Sequence, residues 1–203
     1  MPKMFVKLHF SRANKKLQKT EKLHGAEIIG FDLPAGTTCP YAGECRAICY
    51  AKKGNYQFPS KKAACLDNLI ASQQDDFVQR MVAVLNGIVA NTDRQVYVRV
   101  HASGDFYSVE YARKWADIAS QCPRVIFYAY TKSVSIVQSV TMPENVHIAF
   151  SYGGLQDYLI PAGATVAKIF DTEDDAINAG YDIRVNNDDL QVVAGGKLGL
   201  IKH

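Results

Sequence analysis

Three cysteines within eleven residues, Cys39, Cys45 and Cys49, are the part of this chain best suited to chemistry. They stand in Thr38-Cys39-Pro40-Tyr41-Ala42-Gly43-Glu44-Cys45-Arg46-Ala47-Ile48-Cys49-Tyr50-Ala51, a C-x5-C-x3-C spacing. Thiolates select soft metals and iron–sulfur clusters. Three of them on a short Gly/Pro loop can wrap one cluster, with backbone N–H groups turned toward its sulfurs. Structural zinc competes for the same residues. Zinc sites, however, pair C-x2–4-C knuckles into closed sets of four N/S ligands. Here the first gap is long, and no second knuckle or nearby His follows. Chemically idle cysteines are the plain alternative, since free Cys is among the most buried residue types. Their crowding on a Pro/Gly loop argues against it. The expected occupant is therefore a 4Fe-4S cluster.

Further polar groups gather wherever a β-type run ends. His101, Ser103, Gly104 and Asp105 follow Gln95 to Val100. A His there could bond a ligand or act as a base near neutral pH, and Asp105 could hold an ammonium or a ribose hydroxyl. Tyr130 and Lys132 follow Arg124 to Tyr130, and a cation there suits a carboxylate or phosphate. Ser151 and the turn Tyr152-Gly153-Gly154 follow Val146 to Phe150. Each has a bland alternative: a satisfied structural His, a turn-capping Asp, a surface Lys, an ordinary Gly-Gly turn. Of the two remaining cysteines, Cys65 near a helix start could complete the ligand set or pack in the core. Cys122, at the far end of a helix, reads as core.

The elements that must position these groups follow from periodicity. Strands are expected at Glu27 to Asp32, Gln95 to Val100, Arg124 to Tyr130, Val146 to Phe150 and Val166 to Phe170, with a sixth at Tyr181 to Val185. Helices are expected over Ser60 to Val89 in two pieces, where Phe77, Met81, Val84, Leu85 and Ile88 would face a core. Others are expected at Val109 to Ser120, capped by Ser108, and at Val134 to Val140. Thr172 with Asp175 resembles a capping box for one more, which Gly180 would end. Strand–helix alternation implies an α/β fold with a mainly parallel sheet. In such folds, sites lie at the carboxyl ends of the strands. Five to six units are too few for a closed eight-fold barrel, so an incomplete parallel (β/α) barrel is expected. The chain reads as a single domain, 1–203. Residues 1–26 form a basic segment, either a solvated strand pair or a basic arm, and residues 186–203 form a C-terminal loop or hairpin.

Composition narrows the setting. The chain is 48% hydrophobic and 21% charged, which excludes disordered and collagen-like classes. A net charge of +3 is too mild to make nucleic acid the main partner. No apolar run spans a membrane and no signal peptide is evident, so the chain reads as cytoplasmic. A disulfide among the cysteines is disfavoured there.

The loop resembles that of phage and plasmid proteins in the family named after mycobacteriophage gene product eighty-eight. The likeness runs from about Gly30 to Ser151. It rests on Phe31-Asp32-Leu33-Pro34-Ala35-Gly36, the TCP…C…CYA loop, Gly54-Asn55-Tyr56, His101 to Phe106 and Tyr130-Thr131-Lys132. More distantly, the layout is similar to the radical S-adenosylmethionine superfamily, whose three cysteines after the first strand hold a 4Fe-4S cluster. That resemblance implies Cys39, Cys45 and Cys49 as cluster ligands. It places Ser103-Gly104-Asp105 where the cosubstrate's amino group is held, with Asp for the superfamily's Glu. Tyr130, Lys132 and Ser151 would then line the side of an unnamed small-molecule or macromolecular substrate. Two other classes stay open. One is a non-enzymatic cluster protein with a full ligand set that includes Cys65. The other is a zinc-stabilised module touching phage or host nucleic acid through the basic N-terminal arm.

Overall fold

A computed structural model describes residues 6–12 and 15–202. In chain order the elements are β1 (Ser11–Arg12), α1 (Lys15–His24), β2 (Glu27–Phe31), α2 (Cys45–Ile48), α3 (Pro59–Ser72), α4 (Phe77–Ala90), β3 (Val96–Val100), α5 (Val109–Gln121), β4 (Val125–Thr131), α6 (Val134–Gln138), β5 (Val146–Ser151), β6 (Val166–Phe170), α7 (Glu173–Asn178), α8 (Gln191–Ala194) and β7 (Lys197–Ile201). Short 3-10 turns at Tyr50–Lys52 and Gly54–Gln57 lie between α2 and α3.

The strands form one seven-stranded sheet in sequential order, β1 to β7. Only β1 runs antiparallel, against β2; every pair from β2 to β7 is parallel. All six parallel strands therefore bring their carboxyl ends to one edge. The residue pattern of β3 shows why the sheet is covered twice. Val96, Val98 and Val100 face a core of helix residues, while Tyr97 packs into a second core on the opposite face. On the first face Phe31, Phe77 and Trp115 meet with ring centroids 5.5 to 6.1 Å apart. On the second face Leu17 of α1 and Val192 of α8 cover Ile28, Tyr128, Ala149 and Leu198.

Local chemistry sets several boundaries as the sequence suggests. Ser108 Oγ accepts from the Tyr111 amide at 3.1 Å and opens α5. Thr172 does the same for α7 through the Asp175 amide, and Gly180 follows with φ 77°. On α4, Phe77, Met81 and Leu85 are buried as expected, but Val84 turns to solvent.

Three expectations fail. Tyr181 to Val185 is no strand. Asp182 makes a single bridge to Leu198, then chelates the Arg184 guanidinium at 2.6 to 3.0 Å, and the chain enters a 3-10 turn. Residues 186–203 are not a loop or hairpin, for they supply α8 and the edge strand β7, paired parallel to β6. The described part of the basic N-terminal segment is neither a strand pair nor an arm. It is mostly helix α1, held down by Leu17 and by a 2.7 Å ion pair from Lys16 to the buried carboxylate of Asp189. Residues 13–14, and the start of that segment at 1–5, lie outside the described residues.

The β5/β6 seam is the shortest of the parallel pairings. Only Phe150↔Val166 and Ser151↔Ala167 are in register, so β6 runs on past the end of β5. A cleft of about 860 Å³ opens where the two part company, and Cys45 and Lys132 reach its wall.

Candidate functional site

The cysteine loop leaves β2 and lies across the carboxyl edge of the sheet. Its seat is steric as well as hydrogen-bonded. A Cβ on Gly43 would meet the Gly153 carbonyl oxygen at 3.0 Å, so only glycine lets the loop approach the turn after β5 this closely. The Leu155 amide donates to the Tyr41 carbonyl at 2.9 Å and fixes the same contact. That turn is itself fastened, because the Gly153 and Gly154 amides both donate to the Asp157 carboxylate, at 2.8 and 2.9 Å.

Cys39, Cys45 and Cys49 are all free thiols and partly exposed. They lie within electrostatic reach of one another. The Cys45 thiol donates a hydrogen bond to Cys49, which lowers the Cys49 pKa and raises that of Cys45. Burial raises Cys39. Among the described residues, no group of three or more His, Cys, Asp or Glu is gathered so as to hold a metal ion. Cys65 shares a separate, smaller cleft with Ala51 and Lys52, just past Cys49, and with Ser103. It is buried on α3 near Lys61 and Asp32. Cys122 is core, as the sequence suggests.

Lys132 is the cation that faces the loop. Its side chain is buried, and Nζ donates to the Ser151 carbonyl (3.1 Å), Ser151 Oγ (2.6 Å) and the Tyr152 carbonyl (2.7 Å). All three acceptors are neutral, and no described carboxylate lies within ion-pair distance. Burial pushes the ammonium down. The groups whose ionised forms oppose that fall are Cys45 first, then Asp105, Asp157 and Cys39. Lys132 and Ser151 therefore belong together, at the wall of the cleft.

The remaining candidates divide. Asp105 does not present an open carboxylate. It accepts from the Phe106 amide (2.7 Å), Thr131 Oγ1 (2.5 Å) and the Lys132 amide (2.9 Å), which makes it a cross-link between the ends of β3 and β4. Ser103 bonds back to the end of β2, its amide to Asp32 Oδ1 and its hydroxyl to the Leu33 carbonyl. Gly104, at φ 89°, leaves room that any Cβ would deny to Leu33 and Thr38, each under 3 Å away. These residues brace the loop from beneath.

His101 is turned away altogether. Strand alternation would put its ring on the Arg99 face, but its φ of 68° sends it to the helix face. There it packs on Phe106, Tyr111 and Trp115, with Nε2 2.8 Å from the Tyr111 hydroxyl. Burial pushes its pKa down to about 3, so the ring is neutral at physiological pH. Tyr130 points to the other side of the sheet, under the Arg99 guanidinium, which itself pairs with Asp189 at 3.3 Å.

Asp32 is the residue the sequence reading passed over. Besides Ser103 it accepts from Lys61 Nζ at 2.6 Å and Ser11 Oγ at 3.2 Å. Its position directly after β2, matching Asp105 after β3, was the available signal.

The Gene product 88 family profile matches residues 8–200 of the chain. The "Gene 88 protein" of Mycobacterium phage L5 is 27% identical over 165 residues, covering 77% of this chain and 65% of that protein. The "Gene 88 protein" of Mycobacterium phage D29 is 29% identical over 114 residues, covering 53% and 48%. The chain thus spans less than two thirds of the length of either relative. No solved structure matches it. Among the described residues, no helix is long and apolar enough to cross a membrane.

Proposed function

The chain belongs to the Gene product 88 family, and from that premise we propose that it is an iron–sulfur protein. Cys39, Cys45 and Cys49 would hold a 4Fe-4S cluster at the carboxyl edge of an incomplete parallel (β/α) barrel of radical S-adenosylmethionine type. The observation that carries this reading is Lys132. A buried ammonium is costly without a counter-charge. The three acceptors of this one are neutral, and it shares the wall of the cleft with Cys45, a thiol that becomes a negative partner only when it ionises or binds metal. Thiolates or an anionic cluster on the loop would supply the missing charge.

The donor set fits. Three soft ligands sit on one short loop, and soft ligands take iron–sulfur clusters. A mononuclear zinc ion would draw its sulfurs to about 3.8 Å from one another (Zn–S about 2.3 Å) and needs a fourth ligand. A bound cluster would supply one-electron chemistry. The chain's own residues would hold the loop against Gly153-Gly154, offset its charge through Lys132, and present the adjoining cleft to a partner molecule. The sheet order supports the barrel reading, because each parallel crossover goes to the next strand without the reversal of doubly wound sheets.

Cosubstrate chemistry gains less support. With Asp105 engaged by three donors, the residues assigned to the S-adenosylmethionine amino group do not fit that role. Any such ligand would have to use the cleft beside Cys45 instead.

Anaerobic purification with iron, sulfide and zinc analysis tests the proposal. Iron and sulfide in near-equal amounts, about four of each per chain, are expected. Zinc alone in a colourless protein overturns the reading. With iron present, an electron-spin signal altered by S-adenosylmethionine would restore the enzyme assignment.

A further inference from the structure

The segment from Cys45 to Leu66 is basic, as the first twenty residues of the chain also are. It holds five Lys and Arg and no Asp or Glu; Lys61 is paired inward with Asp32 at 2.6 Å, which leaves four cations for the outer face. Arg46, Lys52, Lys53 and Lys62 are exposed, and no described carboxylate lies within ion-pair distance of any of them. They form one surface. Lys52 Nζ donates to the Arg46 carbonyl at 2.7 Å, and Lys62 Nζ reaches Gln57 at 2.9 Å.

Aromatic rings lie among these cations. Phe58 is 59% exposed and Tyr50 55%, but the hydroxyl end of Tyr50 is turned inward, toward Arg99, Asp32 and Asp189. Tyr50 is braced edge-on by Tyr56 at 5.9 Å, so its ring is held rather than loose. Phe58 lies directly before α3 with most of its surface in solvent. Lysines around it exclude a cationic or purely apolar partner.

We propose that this face binds single-stranded nucleic acid. The four cations would track successive phosphates, and Phe58 would stack on a base. Interleaved basic and aromatic side chains are the general form of such surfaces. The charges are exposed and bonded only to neutral groups, which suits the phosphates of a polyanion. The assignment does not rest on the metal, because none of these side chains is a proposed ligand.

The test is fluorescence anisotropy with the full chain and a labelled, mixed-sequence single-stranded DNA of about 20 nucleotides at low salt. Saturable binding is expected, weaker for the matching duplex. Lys52→Ala with Lys53→Ala should flatten the logarithmic salt slope by about 0.7 per lost phosphate contact. Phe58→Ala should weaken binding about tenfold with the salt slope unchanged. Circular dichroism checks that each variant is folded. No saturable binding, or variants that bind as the parent does, overturns the proposal. A loss confined to the lysine pair overturns the stacking and with it the single-strand assignment. Heparin, acidic peptide or anionic lipid vesicles bound as tightly as the oligonucleotide would also overturn it.

Discussion

The Lys132 backbone amide donates to the Asp105 carboxylate at 2.9 Å, while the Lys132 side chain reaches across to Ser151. One residue therefore joins the ends of β3, β4 and β5, beneath a loop that carries three cysteines.

Asp105→Ala should remove that junction and leave the Thr131 hydroxyl and two amides without their acceptor. Buried groups stripped of a charged partner cost about 2–4 kcal/mol in all. Urea unfolding of the isolated variant should show a loss in that range, with Asp105→Asn losing less because one oxygen remains. An unchanged midpoint for Asp105→Ala would remove Asp105 from the frame of the site.

Lys132→Met keeps most of the volume and deletes the charge. If the ammonium offsets an anionic loop, iron retained after anaerobic purification should fall by about half or more, with the far-ultraviolet spectrum preserved. Full iron in this variant would show that the loop needs no counter-charge.

The cysteines should behave unequally. Cys49→Ser should abolish iron binding. Cys65→Ala should leave iron content within error and cost about 1 kcal/mol of packing, since Cys65 is buried on α3. Iron lost on replacing Cys65 would mean that a fourth thiolate closes the cluster.

His101 predicts a pH dependence of stability. In the unfolded chain it titrates near 6.5; in the fold, burial holds it down to about 3. Below pH 6.5 the unfolded state binds the extra proton, so stability falls as pH falls, by about 1.4 kcal/mol per unit until pH 3. Above 6.5 the contribution is fully present. His101→Asn tolerates the positive φ and does not titrate. Unfolding at pH 7, 6 and 5 should show the gap between parent and variant narrowing toward acid, and a constant gap would dismiss the ring as its source.

Much of the scaffold is legible because local signals agree with it. Ser108 and Thr172 announce helices, and Gly180 follows the end of α7. The positions of Lys132 and Ser151 follow from one rule, that polar residues after parallel strands converge. The failures share a cause, which is dependence on distant partners. Lys197–Ile201 is short and follows Gly195-Gly196, and it becomes a strand only because β6 offers an open edge. Lys16 reads as one more solvated charge until Asp189, far along the chain, is seen beneath it. His101 obeys its strand in sequence and leaves it through a single dihedral, which a non-glycine residue adopts at a cost of about 1–2 kcal/mol that its aromatic neighbours offset. No periodicity records that turn.

The seam between β5 and β6 has a thermodynamic consequence. With only two residue pairs in register there, the portion from β6 to β7 is the part of the parallel sheet least secured by backbone pairing to the rest. A molecule seated in the cleft would touch both sides of that join at once, Lys132 and Tyr152 on one and Lys168 and Phe170 on the other. Its binding energy would count directly against the opening of the join. Amide exchange in β6 would then slow as such a molecule is added, and the same titration would report affinity without any knowledge of the reaction.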